Sequence, residues 1–178
     1  QKEILSGYAT HYLSGEVIPD SLVTKIANSR KFNQGFMTTE LCAASILDMK
    51  WHELSLDALE KMSEGDPAAA VADFEKKVAD AMGLPGEIIP RYRTTYFNHI
   101  FNSGYSAGYY SYLWSEVLDK DAFEYFEQQG IFNKDVALKF RRTFLERGGS
   151  EEPMVLYEMF RGSRPDPGAL LRARGLTE

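Results

Sequence analysis

Apolar residues recur at three- and four-residue spacing along most of the chain, and no stretch sustains the alternation of a half-buried strand. Pro19-Asp20-Ser21 opens a helix in which Leu22, Val23 and Ile26 share a face. Asn33-Gln34-Gly35 breaks the chain. A second helix is predicted from Thr38 or Thr39, with Leu41, Ala44, Ile46, Leu47, Met49 and Trp51 on a wide buried stripe. Asp66-Pro67 supplies the cap and first-turn proline of a helix over 68–82, which Gly83 terminates. Pro85, Gly86 and Pro90 mark a linker. Asn133 caps a helix carrying Val136, Phe140 and Phe144 four apart, and Gly148-Gly149 ends it. Ser150 with Pro153 starts a short helix closed by Gly162, and Asp166-Pro167 opens the last turns, which Gly175 closes. With no hairpin turn and no internal repeat, the pattern predicts an all-α domain of about six to eight helices.

Composition narrows the function classes. The chain has 178 residues, 44% of them hydrophobic, which suits one domain with a real core. Its 20 basic residues are outnumbered by 26 acidic ones, so no basic face is expected to neutralise nucleic-acid phosphates. Apolar runs are only a few residues long, and no membrane span is predicted. A single cysteine, Cys42, cannot form an internal disulfide, and its apolar setting predicts a buried, inert thiol. The chain opens on Gln1, and the stretch to Glu16 reads as the end of an element already under way. The expectation is a piece of something longer.

Most catalytic signatures are missing. His11, His52 and His99 are scattered, and His52-Glu53 is not followed by a second histidine one turn on, so no metal site is expected within the chain. There is no phosphate-binding glycine loop and no nucleophile elbow. What stands out is residues 92–114, where nine of 23 residues are aromatic and six are tyrosine. A buried phenol needs a partner for its hydroxyl, so a purely structural segment has little use for so many. Gly104 and Gly108, with Asn102 and Ser103, predict a loop that brings His99, Tyr105 and Tyr112 toward one point. Tyrosine hydroxyls and a histidine N–H are suitable donors to an oxyanion forming on a peptide carbonyl. Packing of a helix pair is the competing account of Tyr92, Tyr96, Phe97, Phe101, Tyr109, Tyr110 and Trp114.

The run PRYRTTYFNHIFNSGYSAGYYSYLWSEVL, with FRRTFLERGGSEEPMVLYEMFRG, PDPGALLRARGL and the upstream FNQGFMTTELCAASILDMKWHEL, resembles the C-terminal part of the thimet-oligopeptidase family of zinc metallopeptidases. The similarity is nearest to the bacterial peptidyl-dipeptidase branch, because the spacing of six from His99 to Tyr105 is one longer than in the oligopeptidase branch. The resemblance implies the helical C-terminal part of a two-lobed, zincin-type catalytic domain around a deep channel that admits short peptides. Residues 1–178 would be that portion, without the upstream H-E-x-x-H segment that holds the zinc. It further implies that Tyr112 donates to the oxyanion of the tetrahedral intermediate and that His99 and Tyr105, with Tyr109 as a further member, contact substrate on a glycine-rich closing loop. A peptidyl-dipeptidase must read a free C-terminal carboxylate, for which Arg91 and Arg93 are the candidates. The implied cofactor is zinc bound by the parent enzyme, the partner a short peptide, and the compartment the cytoplasm, with the periplasm as the alternative. On this reading the chain alone is inactive. The alternative is a freestanding helical peptide-binding or scaffold module, and H-E-x-x-H encoded upstream of Gln1 would decide against it.

Overall fold

Side-chain caps set where several helices begin. In the computed structural model, which describes residues 1–177, Asp66 Oδ1 accepts from the N–H groups of Ala68 (3.0 Å) and Ala69 (3.3 Å). Asn133 Oδ1 does the same for Asp135 and Val136, and Asp166 Oδ1 for Gly168. Each cap satisfies donors that a first helical turn leaves unpaired. In chain order the helices are α1 (Lys2–Leu5), α2 (Asp20–Ser29), α3 (Gln34–His52), α4 (Leu56–Ser63), α5 (Pro67–Ala81), α6 (Asn98–Phe101), α7 (Ser111–Gln129), α8 (Lys134–Phe140), α9 (Pro153–Arg161) and α10 (Pro167–Arg174). Eight of them have seven residues or more, and α1 and α6 are single turns. Among the described residues there is no sheet, only an isolated antiparallel bridge between Thr10 and Val17. The all-α expectation holds.

Several boundaries and burial assignments differ from the sequence reading. Helix α3 starts at Gln34, four residues before Thr38, because the break is confined to Asn33, which adopts a left-handed conformation (φ 57°). Gly35 then sits in the first turn, where its carbonyl accepts from the Thr39 hydroxyl. Ile46 and Met49 are exposed, whereas Ala43, Ser45 and Asp48 are buried, so the core face of α3 is rotated from the expected stripe. Helix α2 forms where predicted but buries no residue. Helix α8 stops at Phe140 and continues as a wider π turn over Arg141–Leu145, and Phe144 still stacks on Phe140 at 5.6 Å. Helix α9 starts at Pro153 with Glu152, not Ser150, in the cap position. Cys42 is half-buried and unpaired in any disulfide.

Two cores hold the helices. In one, Ala44, Leu47 and Trp51 of α3 meet Val78 of α5, Ile100 of α6, Phe97 and Tyr109. Burying each large side chain stabilises by about 1.5–3 kcal/mol, and Trp51 also donates its indole N–H to Thr94 Oγ1 at 2.8 Å. In the other, Phe160 of α9 is fully buried among Tyr125, Phe126 and Phe140, while Ala169 and Leu170 of α10 are buried in the part of the chain where α10 packs along α7. Arg174 at the end of α10 donates to Thr38 Oγ1 (2.7 Å) and pairs with Glu116, tying α10 to α3 and α7.

Three buried acids cross-link the helices: Asp48 on α3, Glu75 on α5 and Asp121 on α7. Asp121 accepts from the Tyr157 hydroxyl at 2.5 Å and from Arg161 Nε and Nη2, each at 3.2 Å, which joins α7 to α9. Burial first, then the bond to Asp121, raises the Tyr157 phenol far above its ordinary range, so it stays a donor. Removing one member of such a group strands the others without partners. Asp121→Ala should therefore lower unfolding stability by roughly 3–5 kcal/mol in urea titrations. A loss below about 1 kcal/mol would mean that the contact is no stronger than a surface ion pair.

Candidate active site

A buried carboxylate fixes the entry to the aromatic segment. Glu75 accepts from Arg93 Nε at 2.5 Å and from the Thr94 N–H at 2.6 Å, which starts the tight turn Thr94–Tyr96 beside α5. The single turn α6 follows and carries His99. Beyond it the chain does not stay helical. Ser103 Oγ bonds back to the His99 carbonyl, and Ser106 Oγ reaches the Ile100 carbonyl at 2.6 Å. The loop predicted over 102–108 is real, but the residue that takes the left-handed conformation is Ala107 (φ 52°), not Gly104 or Gly108. Such a conformation costs a residue with a Cβ about 1–2 kcal/mol. It is held because the Ala107 and Tyr109 N–H groups donate to the two oxygens of Asp48, at 3.0 and 2.9 Å.

Chain reversal at this loop gathers one histidine and four tyrosines. The His99 ring lies 6.0 Å from that of Tyr105, 5.6 Å from Tyr109, 6.4 Å from Tyr112 and 5.1 Å from Tyr92. Tyr105 and Tyr112 stack at 5.1 Å with planes 13° apart, and Tyr109 meets Tyr112 edge-on at 5.1 Å. Tyr109 is buried and forms the floor of the cluster; Tyr112 is 41% exposed, and His99 and Tyr105 are half-buried. The convergence of His99, Tyr105 and Tyr112 expected from sequence is present as geometry.

Two of these phenols, Tyr109 and Tyr112, hold their protons more tightly than a free tyrosine. The Tyr112 hydroxyl is pushed up from 10 to about 12, first by its hydrogen bond with Tyr105 and then by burial among the neighbouring rings. Tyr109 is raised by burial, with Arg91 opposing. At neutral pH Tyr112 is therefore a neutral O–H at the surface of an aromatic wall, a donor that can meet developing negative charge.

The two arginines diverge. Arg93 is engaged by buried Glu75. Arg91 is exposed, with its guanidinium 5.9 Å from the Tyr92 ring centroid, at the margin of the cluster. Arg91 also lines a groove of about 1430 Å³ bordered by α2, α3, α7 and α10, which His99, Tyr105 and Tyr112 do not line. The convergent donors lie apart from this groove, in the aromatic cluster. Among the described residues no group of three or more His, Cys, Asp or Glu side chains could hold a metal ion, so the residues present do not fit a zinc site.

Asp48 is the residue that the sequence reading missed. The signal was in the register: Asp48 shares the buried face of α3 with Ala44, Leu47 and Trp51, and an acid in an apolar stripe must find donors.

A raised phenol gives a direct readout. Because the folded value lies above the ordinary one, the stability that protonated Tyr112 contributes is present below pH 10 and lost as pH climbs through about 12. A tyrosinate absorbance titration, taken as the difference between the parent and Tyr112→Phe, should place the Tyr112 transition near 12. Tyr105→Phe should move it back toward 10, since the hydrogen bond to Tyr105 is the largest cause. An unmoved transition would remove Tyr105 as the partner.

Comparison with known proteins places this geometry in a family. The model of peptidase family M3 matches residues 1–176. The chain is 43% identical to dipeptidyl carboxypeptidase of Escherichia coli over 176 residues, covering 98% of this chain and 24% of that protein. It is 38% identical to dipeptidyl carboxypeptidase of Salmonella typhimurium, covering 97% of this chain and 24% of that protein. With oligopeptidase A of Haemophilus influenzae it shares 37% identity, over 99% of this chain and 25% of that protein. The chain thus spans about a quarter of the length of these relatives. With the family model matched from end to end of the described fold, the chain belongs to peptidase family M3.

Proposed function

We propose that these residues form the substrate-side wall of the active site in a longer zinc peptidase that removes dipeptides from the C-terminus of short peptides. The observation that carries this reading is the Tyr105–Tyr112 pair beside His99, with the Tyr112 hydroxyl exposed and held protonated. A neutral phenol has little interaction with a ground-state carbonyl and gains strength as charge builds on the oxygen, so its bond favours the transition state over the substrate. His99 and Tyr105 provide further donors within reach of the same bound peptide, and buried Tyr109 supports them from below. The metal that activates water in this family would be held by residues outside this chain. Dipeptide release is favoured over endopeptidase cleavage because identity is higher to the two dipeptidyl carboxypeptidases than to oligopeptidase A.

Arg91 is the better placed of the two arginines to read a peptide carboxylate, since Arg93 already neutralises Glu75. A compact guanidinium–carboxylate contact is suited to that task. No helix among the described residues is long and apolar enough to cross a membrane.

Tyr112→Phe in the full-length protein tests the reading. Loss of one oxyanion donor typically lowers kcat by about 10²–10³, and KM should stay near its parent value. Steady-state kinetics on a short peptide with a free C-terminus measure both. An unchanged kcat would contradict the role given to Tyr112.

A further inference from the structure

We infer that Asp48 is a positioning residue for the tyrosine donors, acting by clasping the Ala107–Tyr109 peptide from the neighbouring helix. Asp48 is fully buried, and neither oxygen is spare. Oδ1 accepts from the Ala107 N–H at 3.0 Å, and Oδ2 accepts from the Tyr109 N–H at 2.9 Å. His52, one turn along α3, brings Nδ1 to 2.9 Å from Asp48 Oδ1 and to the same distance from the Asp48 main-chain oxygen. Two acceptors face that nitrogen, so it carries a proton and serves as a third donor. Three donors converging on one carboxylate replace the water that its burial removes.

The two clasped N–H groups lie between Tyr105 and Tyr112 in the chain. Two residues before Ala107, Tyr105 is tied into the same turn by the bond from the Gly108 N–H to its carbonyl at 2.8 Å. Three residues after Tyr109, Tyr112 in the first turn of α7 donates its N–H to the Tyr109 carbonyl at 3.3 Å. The turn between them needs a left-handed Ala107, which nothing in the alanine side chain favours. In that conformation both amides reach the carboxylate, which stabilises it. Without the anion, the backbone is free to relax, and the stacked pair loses its spacing. Neither partner is local: Asp48 is 59 and 61 residues from the groups it holds, so α3 dictates the loop.

The test is Asp48→Asn in the full-length protein. The amide keeps size and one acceptor, and turns an N–H₂ toward a main-chain N–H that needs an acceptor. Tyrosinate titration should then move the Tyr112 transition from about 12 toward 10, while Tyr157, held by Asp121 in the other core, keeps its raised value. General loosening would move both, so a joint shift overturns the inference, as does no shift at Tyr112. The kinetic arm rests on the peptidase reading: kcat should fall at least about tenfold with KM within about threefold. Titration and exchange do not depend on that reading, so an inactive parent enzyme leaves them decisive. If the asparagine variant does not fold, amide hydrogen exchange of the parent decides. The Ala107 and Tyr109 N–H groups should exchange far more slowly than that of Gly104, whereas equal rates would contradict the clasp.

Discussion

The interaction on which the candidate site depends is a buried anion answered by main-chain N–H groups. A carboxylate without partners in an apolar stripe would be expelled or neutralised. Asp48 stays because a loop some sixty residues away delivers two amides to it, and the loop stays because Asp48 is there. The same device recurs at Glu75, which holds the Thr94 amide and Arg93, while Asp121 is answered by side chains alone, Tyr157 and Arg161. In each case an acid on one helix fixes an element that helix propensity alone would leave free. Such contacts add specificity of placement more than stability, since hydrophobic replacements of equal volume often do as well for folding alone.

Placement matters here because a hydroxyl donates only at the right distance and angle. Tyr105 and Tyr112 come from opposite sides of a turn, and their stacking at 5.1 Å depends on the path between them. Burial of Tyr109 beneath Tyr112 makes that path part of the core, so loop and packing share one set of residues. Hydroxyls fixed in this way by the fold are preorganised, which on the proposed reading is the condition under which oxyanion stabilisation is strongest.

Local chemistry was legible in the sequence. The caps Asp66, Asn133 and Asp166 bond the amides that their positions imply, and Gly162 and Gly175 end α9 and α10 in left-handed conformations. The aromatic–glycine segment was legible as a loop that gathers His99, Tyr105 and Tyr112. What was not legible came from tertiary partners. Local spacing puts Asp48 in register with Ala44, Leu47 and Trp51 but does not say which edge of the α3 stripe is buried, since that depends on where α5 and α6 pack. Two glycines drew attention to the loop, yet its left-handed residue is Ala107, a choice made by Asp48 and invisible nearby in sequence. Likewise Arg91 and Arg93 read alike until Glu75 engages one of them.

The central proposal is that Asp48, outside the proposed substrate wall, works through Tyr112 within it. A double-mutant cycle on kcat in the full-length enzyme, combining Asp48→Asn with Tyr112→Phe, tests it most directly. If Asp48 acts by placing Tyr112, its substitution costs little further once the hydroxyl is gone, and the two losses are strongly non-additive. Losses that simply add in free energy would contradict the account.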